Sequence, residues 1–224
     1  MLSSSIVCDV IKQPSGNSRL EHAMFEHTVN WFRRSNDEFA YIDRSVVKEV
    51  VQWCTYQSFP ANSLVIKQGD FGDAFYALLR GHASAHVLSD SQLSRIGNIT
   101  KGQKLTVSDK HKLGPTVKSY APGGTFGELA LIHDNNIRSA SIIADDDCVM
   151  AVVPKDLYDR LLKSYKEEEY KERLNICNNF YLSKKMKESH KEKLANSMEK
   201  IHMEFDSLVA IQLKPCTHMY FIVK

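Results

Sequence analysis

The sequence predicts an α+β domain: an antiparallel β-roll, or jelly roll, flanked by N-terminal helices and by C-terminal helices that act as its lid. Three observations predict it. Six short β-type segments, Leu64–Ile66, Phe75–Leu79, Ala83–Leu88, Val117–Tyr120, Ser139–Ile143 and Val149–Val153, are separated by turn residues. Ahead of them, Val46, Val47, Val50 and Val51 recur at helical spacing. Behind them, Pro154 suits a first helical position, and Leu157, Leu161, Leu162 and Tyr165 share one face.

In chain order, residues 1–20 are aperiodic and contain Ser, Pro and Gly, which reads as a flexible lead. Residues 21–54 form a helical segment, and 55–179 hold the roll with its lid helices. Gly69-Asp70 and Gly72-Asp73 fit tight turns between the first strands. Residues 88–116 make a polar insertion longer than a hairpin connection; from Arg95 to Lys118 the chain carries Arg95, Lys101, Lys104, Lys110, Lys112 and Lys118 against the single acid Asp109, and the insertion reads as solvated and mobile. Residues 62–80, shifted by 144 positions, overlay 206–224 without a gap, so that Ser63, Leu64, Val65, Gln68 and Tyr76 meet Ser207, Leu208, Val209, Gln212 and Tyr220. Residues 180–224 are therefore expected to begin a second, truncated repeat, with strands Ser207–Gln212 and Met219–Val223 and an open sheet edge. The turn glycines Gly69 and Gly72 are replaced there by Leu213 and Cys216.

Composition narrows the function classes. A 224-residue chain that is 43% apolar and 25% charged is an ordinary globular protein, and a net charge of +2 does not mark a nucleic-acid binder. No apolar run reaches membrane-spanning length. Cys8, Cys54, Cys148, Cys177 and Cys216 form no CxxC pair, which suits reduced thiols in the cytoplasm. His82, His86, His111 and His133 lack metal-ligand spacing, and Asp145-Asp146-Asp147 reads as a hydrated turn. No nucleophile–base pair, Walker-type loop or following helix-turn-helix is present, so neither an enzyme nor a cofactor is expected. The lysines of 184–193 read as the wet face of a helix.

The run Phe126-Gly127-Glu128-Leu129-Ala130-Leu131-Ile132, followed by Arg138-Ser139-Ala140, reads as a pocket for one phosphate attached to a ribose. Gly127 permits a tight turn, and the apolar residues after Glu128 open a short helix whose free N–H groups suit an anion. A carboxylate at 128 repels phosphate but suits a ribose hydroxyl, whereas Arg138 offers a planar fork to phosphate oxygens. Ser139 and Ala140 are small enough for close backbone approach.

This run resembles the phosphate-binding cassette of the cyclic nucleotide-binding domain family, as found in protein kinase A regulatory subunits. Upstream, Leu64 through Tyr76, then Gly81, looks like the family's opening β-hairpin, so the resemblance covers residues 40 to 165. It implies cAMP or cGMP as ligand, an unidentified protein effector as partner, and a signal-transducing regulatory role. It further implies that Glu128 accepts the ribose 2′-hydroxyl with help from the Gly127 carbonyl. Arg138 neutralises the cyclic phosphate with the N–H groups of Ala130 and Ser139, and Tyr165 or Tyr170 stacks on the base. The family often has proline before the arginine, where this chain has Ile137, and the preceding loop from His133 is about one residue longer than in kinase regulatory subunits. Ser139 stands where cAMP-selective members tend to carry alanine and cGMP readers threonine, so the resemblance leaves the base open.

Overall fold

A computed structural model describes residues 4–14, 22–132, 135–198, 201, 203, 206–213, 215 and 218–222. Four helices lead: α1 (Ser4–Lys12), α2 (His22–Ser35), α3 (Asp37–Ala40) and α4 (Arg44–Trp53). Eight strands follow: β1 (Thr55–Phe59), β2 (Ser63–Ile66), β3 (Ala74–Arg80), β4 (Ala83–His86), β5 (Thr116–Tyr120), β6 (Thr125–Phe126), β7 (Ser141–Ala144) and β8 (Cys148–Pro154). Helix α5 (Val107–Lys112) precedes β5 and α6 (Leu129–Ile132) follows β6; α7 (Lys155–Leu161), α8 (Lys163–Asn179) and α9 (Glu188–Ser197) come after the roll.

The strands form two antiparallel sheets, in the orders β1-β8-β3-β6 and β2-β7-β4-β5. Strands β3 and β8 are continuous apolar runs because both of their faces are covered. Phe75, Ala77 and Leu79 of β3, with Val149, Ala151 and Val153 of β8, face a helical core built on Val29, Phe32, Val47, Val50, Val51, Leu157 and Tyr158. The alternate residues Ala74, Tyr76 and Leu78, with Cys148, Met150 and Val152, face the second sheet. The expected α+β roll is what forms.

The N-terminal lead differs from its expectation. The described part of residues 1–20 includes helix α1, whose Val7, Val10 and Ile11 are buried. Their three- and four-residue spacing covers one face only, and that face is buried against α2, β1 and β3.

The 88–116 insertion is folded. A 3₁₀ turn (Asp90–Ile96) and α5, with its Thr106–Asp109 capping box, bury Leu88, Ile96, Ile99, Leu105 and Leu113 against Leu64 of β2 and Ile143 of β7. Its backbone also bonds the outer edge of β2: Gly102 N–H donates to the Leu64 carbonyl (2.7 Å), Leu64 N–H to Gln103 (3.0 Å) and Leu105 N–H to Asn62 (2.7 Å). Its apolar residues are spaced irregularly among lysines, which is why they read as solvated.

The chain divides into two compact units, Met1–Lys166 and Glu167–Lys224. Within the second, Cys177 is buried and the Ser183 hydroxyl donates to its carbonyl. No strand occurs at 207–212 or 219–222, the described residues of the expected repeat strands; Cys216 and Val223 lie outside the described residues. Strands β2 and β3 are held by β7, β6 and β8, and no strand among the described residues plays those parts for 207–212 and 219–222. Among the described residues no helix is long and apolar enough to cross a membrane.

Candidate functional site: the turn and short helix between β6 and β7

β6 ends at Phe126, and the chain turns at Gly127, whose φ of +96° favours glycine. The Glu128 carbonyl then accepts from Leu131 N–H (2.8 Å) and Ile132 N–H (3.0 Å), closing the single turn of α6. After Asn135 the chain returns alongside the turn 69–73. Gly72 N–H donates to the Asn136 carbonyl (2.8 Å), the Asn136 side-chain amide to the Gly72 carbonyl (3.0 Å), Arg138 N–H to Asp70 (2.8 Å) and Gly69 N–H to Arg138 (2.9 Å). Two segments far apart in sequence are thus zipped together. Contact is close enough that a Cβ on Gly72 would lie 2.7 Å from the Ala130 Cβ.

Arg138 is 4% exposed, and its guanidinium is held by three acceptors. It donates to the Gly127 carbonyl (2.8 Å), the Asp73 carboxylate (2.8 Å) and the Ala74 carbonyl (2.9 Å), and lies 5.8 Å from the centre of the Tyr76 ring. The Asp73 side chain is 72% exposed, so a buried cation pairs with a wet anion. Tyr76 stacks on Phe126 at 5.5 Å, and its hydroxyl accepts from Lys101 of the insertion (2.7 Å).

Of the sequence-predicted residues, Gly127, Glu128, Leu129, Ala130 and Arg138 surround this turn, with Glu128 half-buried and Ala130 buried. Ser139 is exposed, and Ala140 packs partly against the inter-sheet core. Tyr165, in the first unit, is exposed, whereas Tyr170 belongs to the second unit. His133 lies outside the described residues. Sequence reasoning missed Asp73, Tyr76 and Lys101 as members of the site. The aspartate stands in the opening motif, where Gly72-Asp73 carries only a turn signal.

The other acidic candidates serve neighbouring loops. Asp145 accepts from Ser84 Oγ (2.8 Å), Asp146 from His82 N–H (2.6 Å) and Asp147 from Ala61 N–H (2.8 Å). Hydrogen bonds from His82 hold the Asp146 carboxyl below its ordinary range. Among the described residues no three His, Cys, Asp or Glu side chains are grouped to hold a metal ion.

Fold and site together define a β-roll that carries a one-turn helix and a returning arginine between its sixth and seventh strands. Residues 99–165 match the family model described as the cyclic nucleotide-binding domain. The chain contains a domain of that family.

Among curated relatives, the cAMP-dependent protein kinase regulatory subunit of Aspergillus niger is 38% identical over 104 residues, 46% of this chain and 20% of the relative. The subunit of that name from Dictyostelium discoideum is 28% identical over 173 residues, 74% of this chain and 44% of the relative. The chain thus spans less than half the length of these relatives. The fold is shared with the regulatory domain of Toxoplasma gondii protein kinase A in complex with cAMP (TM-score 0.52, 19% identity, 79% of this chain, 59% of that one). It is shared also with the regulatory subunit of a cAMP-independent protein kinase A from Trypanosoma cruzi bound to guanosine (TM-score 0.54, 15% identity, 82% of this chain, 56% of that one).

Proposed function

We propose that this protein is a cytoplasmic receptor for a cyclic nucleotide, cAMP or cGMP, and a regulatory module, not an enzyme. The observation that carries the reading is the arginine of the returning segment before β7, held 2.8 Å from the Gly127 carbonyl at the turn that presents Glu128. In this reading Glu128 takes the ribose hydroxyl, and Arg138 with the N–H groups of Ala130 and Ser139 takes the phosphate. Leu129 and Ala140 wall the pocket. A monoanion in a narrow site is matched by one forked cation and several fixed dipoles.

The output follows from packing. Leu131 of α6 lies in the same apolar cluster as Leu157, Tyr158 and Leu162, so a shift of the cassette is felt by α7 and the start of α8. These lid helices change position on binding and alter the surface offered to a protein effector, for which a kinase catalytic subunit is the candidate that the relatives' names suggest.

A second reading, a roll that keeps the fold without the ligand, is favoured by Arg138 already having three protein acceptors. Calorimetric titration with cAMP and cGMP separates the two. Binding with a Kd of about 1 μM or tighter is expected, equivalent to roughly 8 kcal/mol. Arg138→Ala is expected to cost about 2–5 kcal/mol of binding, and Glu128→Ala about 1.5–3 kcal/mol. Folded protein that takes up neither nucleotide is the non-binding roll, and variants that bind like the parent place the ligand elsewhere.

A further inference from the structure

The insertion brings Lys101 to Tyr76, the aromatic neighbour of Phe126 and Arg138. Gly102, the next residue, is fixed to Leu64 of β2. From there the Lys101 ammonium donates to the Tyr76 hydroxyl at 2.7 Å and lies 5.2 Å from the ring centre. The same buried ring stacks on Phe126, the residue before Gly127, and has the Arg138 guanidinium 5.8 Å from its centre. One aromatic side chain therefore has two cations against it, one from the cassette and one from the insertion.

The two cations differ in what is left to them. Arg138 is paired with Asp73 and gives two further hydrogen bonds to the Gly127 and Ala74 carbonyls, which leaves two of its five N–H donors. Lys101 lies on an exposed residue, pairs with no carboxylate among the described residues, and gives one of its three N–H donors to a neutral phenol. An anion entering beside a balanced Arg138–Asp73 pair gains little net charge from that pair, whereas an unbalanced ammonium attracts it directly.

We infer that Lys101 is a second cation of the ligand site, supplied by the insertion, which takes an oxygen of the nucleotide's phosphate. This inference rests on the cyclic nucleotide reading above. It gives the insertion a specific purpose: folding against β2 and β7 fixes the lysine, and Tyr76 holds its ammonium in place until the ligand arrives.

The test is calorimetric titration of the full chain with cAMP at two salt concentrations, using wild type, Lys101→Met, Lys101→Arg and Arg138→Ala. Lys101→Met keeps a stem over Tyr76 and removes the charge. It is expected to weaken binding about tenfold or more and to flatten the salt dependence, while Lys101→Arg stays close to wild type. Binding by Lys101→Met equal to wild type, with Arg138→Ala defective, would overturn the inference and leave Lys101 as a clamp for the insertion. If Lys101→Met does not fold, Lys101→Gln decides: binding that is weaker and less salt-dependent than wild type supports a lysine that serves the ligand, and binding equal to wild type overturns the inference. A folded wild type that binds no nucleotide at any salt overturns the site reading itself and this inference with it.

Discussion

Arg138 and Asp73 stand 65 positions apart in sequence and meet at 2.8 Å, joining the segment before β7 to the turn that opens β3. The pair is asymmetric. Its cation is buried and bonded to two backbone carbonyls, and its anion is largely in water.

The asymmetry predicts unequal mutational costs. Asp73→Asn removes a solvent-screened charge and should cost less than about 1 kcal/mol of stability. Arg138→Met leaves the Gly127 and Ala74 carbonyls without their donor and should cost about 2–4 kcal/mol. Urea unfolding of the two variants compares them directly; equal costs would mean that the carbonyl contacts contribute nothing.

Gly72 and Ala130 form a steric pair. A methyl group at 72 would sit 2.7 Å from the Ala130 Cβ, too close for either backbone to keep its place. Gly72→Ala should lower the melting temperature, and adding Ala130→Gly should restore most of that loss despite the poorer helix propensity of glycine. A double variant no better than the single one would place the strain elsewhere.

Leu113 reports on the insertion. It is fully buried with Leu64 and Ile143, so Leu113→Ala should destabilise the domain by about 3 kcal/mol. A solvated loop would show almost no change in denaturant midpoint.

Cys148 reports on the inter-sheet core. Burial first, then the charge of Asp146, pushes its thiol up to about 12 from the ordinary 9.0. Because the folded value lies above the unfolded one, the stabilisation is complete below about pH 9 and fades as pH rises toward 12. Iodoacetamide at pH 9, read by mass spectrometry, should leave Cys148 unmodified in folded protein and modify it in urea.

What was legible in the sequence follows from where its signals are local. β3 and β8 announced themselves as apolar runs, and Phe126–Ile132 with Arg138 marked the cassette, because each is a contiguous string with one structural meaning. β1, Thr55–Phe59, has no clean alternation and a mixed burial pattern, and β6 is two residues long; both exist because β8 and β3 offer them an edge. Helix α1 needed the helical core to be recognised as a helix. The Arg138–Asp73 and Lys101–Tyr76 contacts depend on chain return across the roll, which no local pattern encodes.

The insertion's backbone pairing with Asn62 and Leu64 has a consequence for how the protein behaves among its own copies. In the β2-β7-β4-β5 sheet, β2 is a terminal strand, and the segment 102–105 occupies its outer hydrogen-bonding groups. The insertion is therefore a guard as well as an arm. Replacing residues 88–115 by a short hairpin would bare a strand of four buried residues, Ser63–Ile66, to any other chain in solution. The shortened protein would be liable to join edge to edge, and the lysines along the guard would no longer be there to keep copies apart.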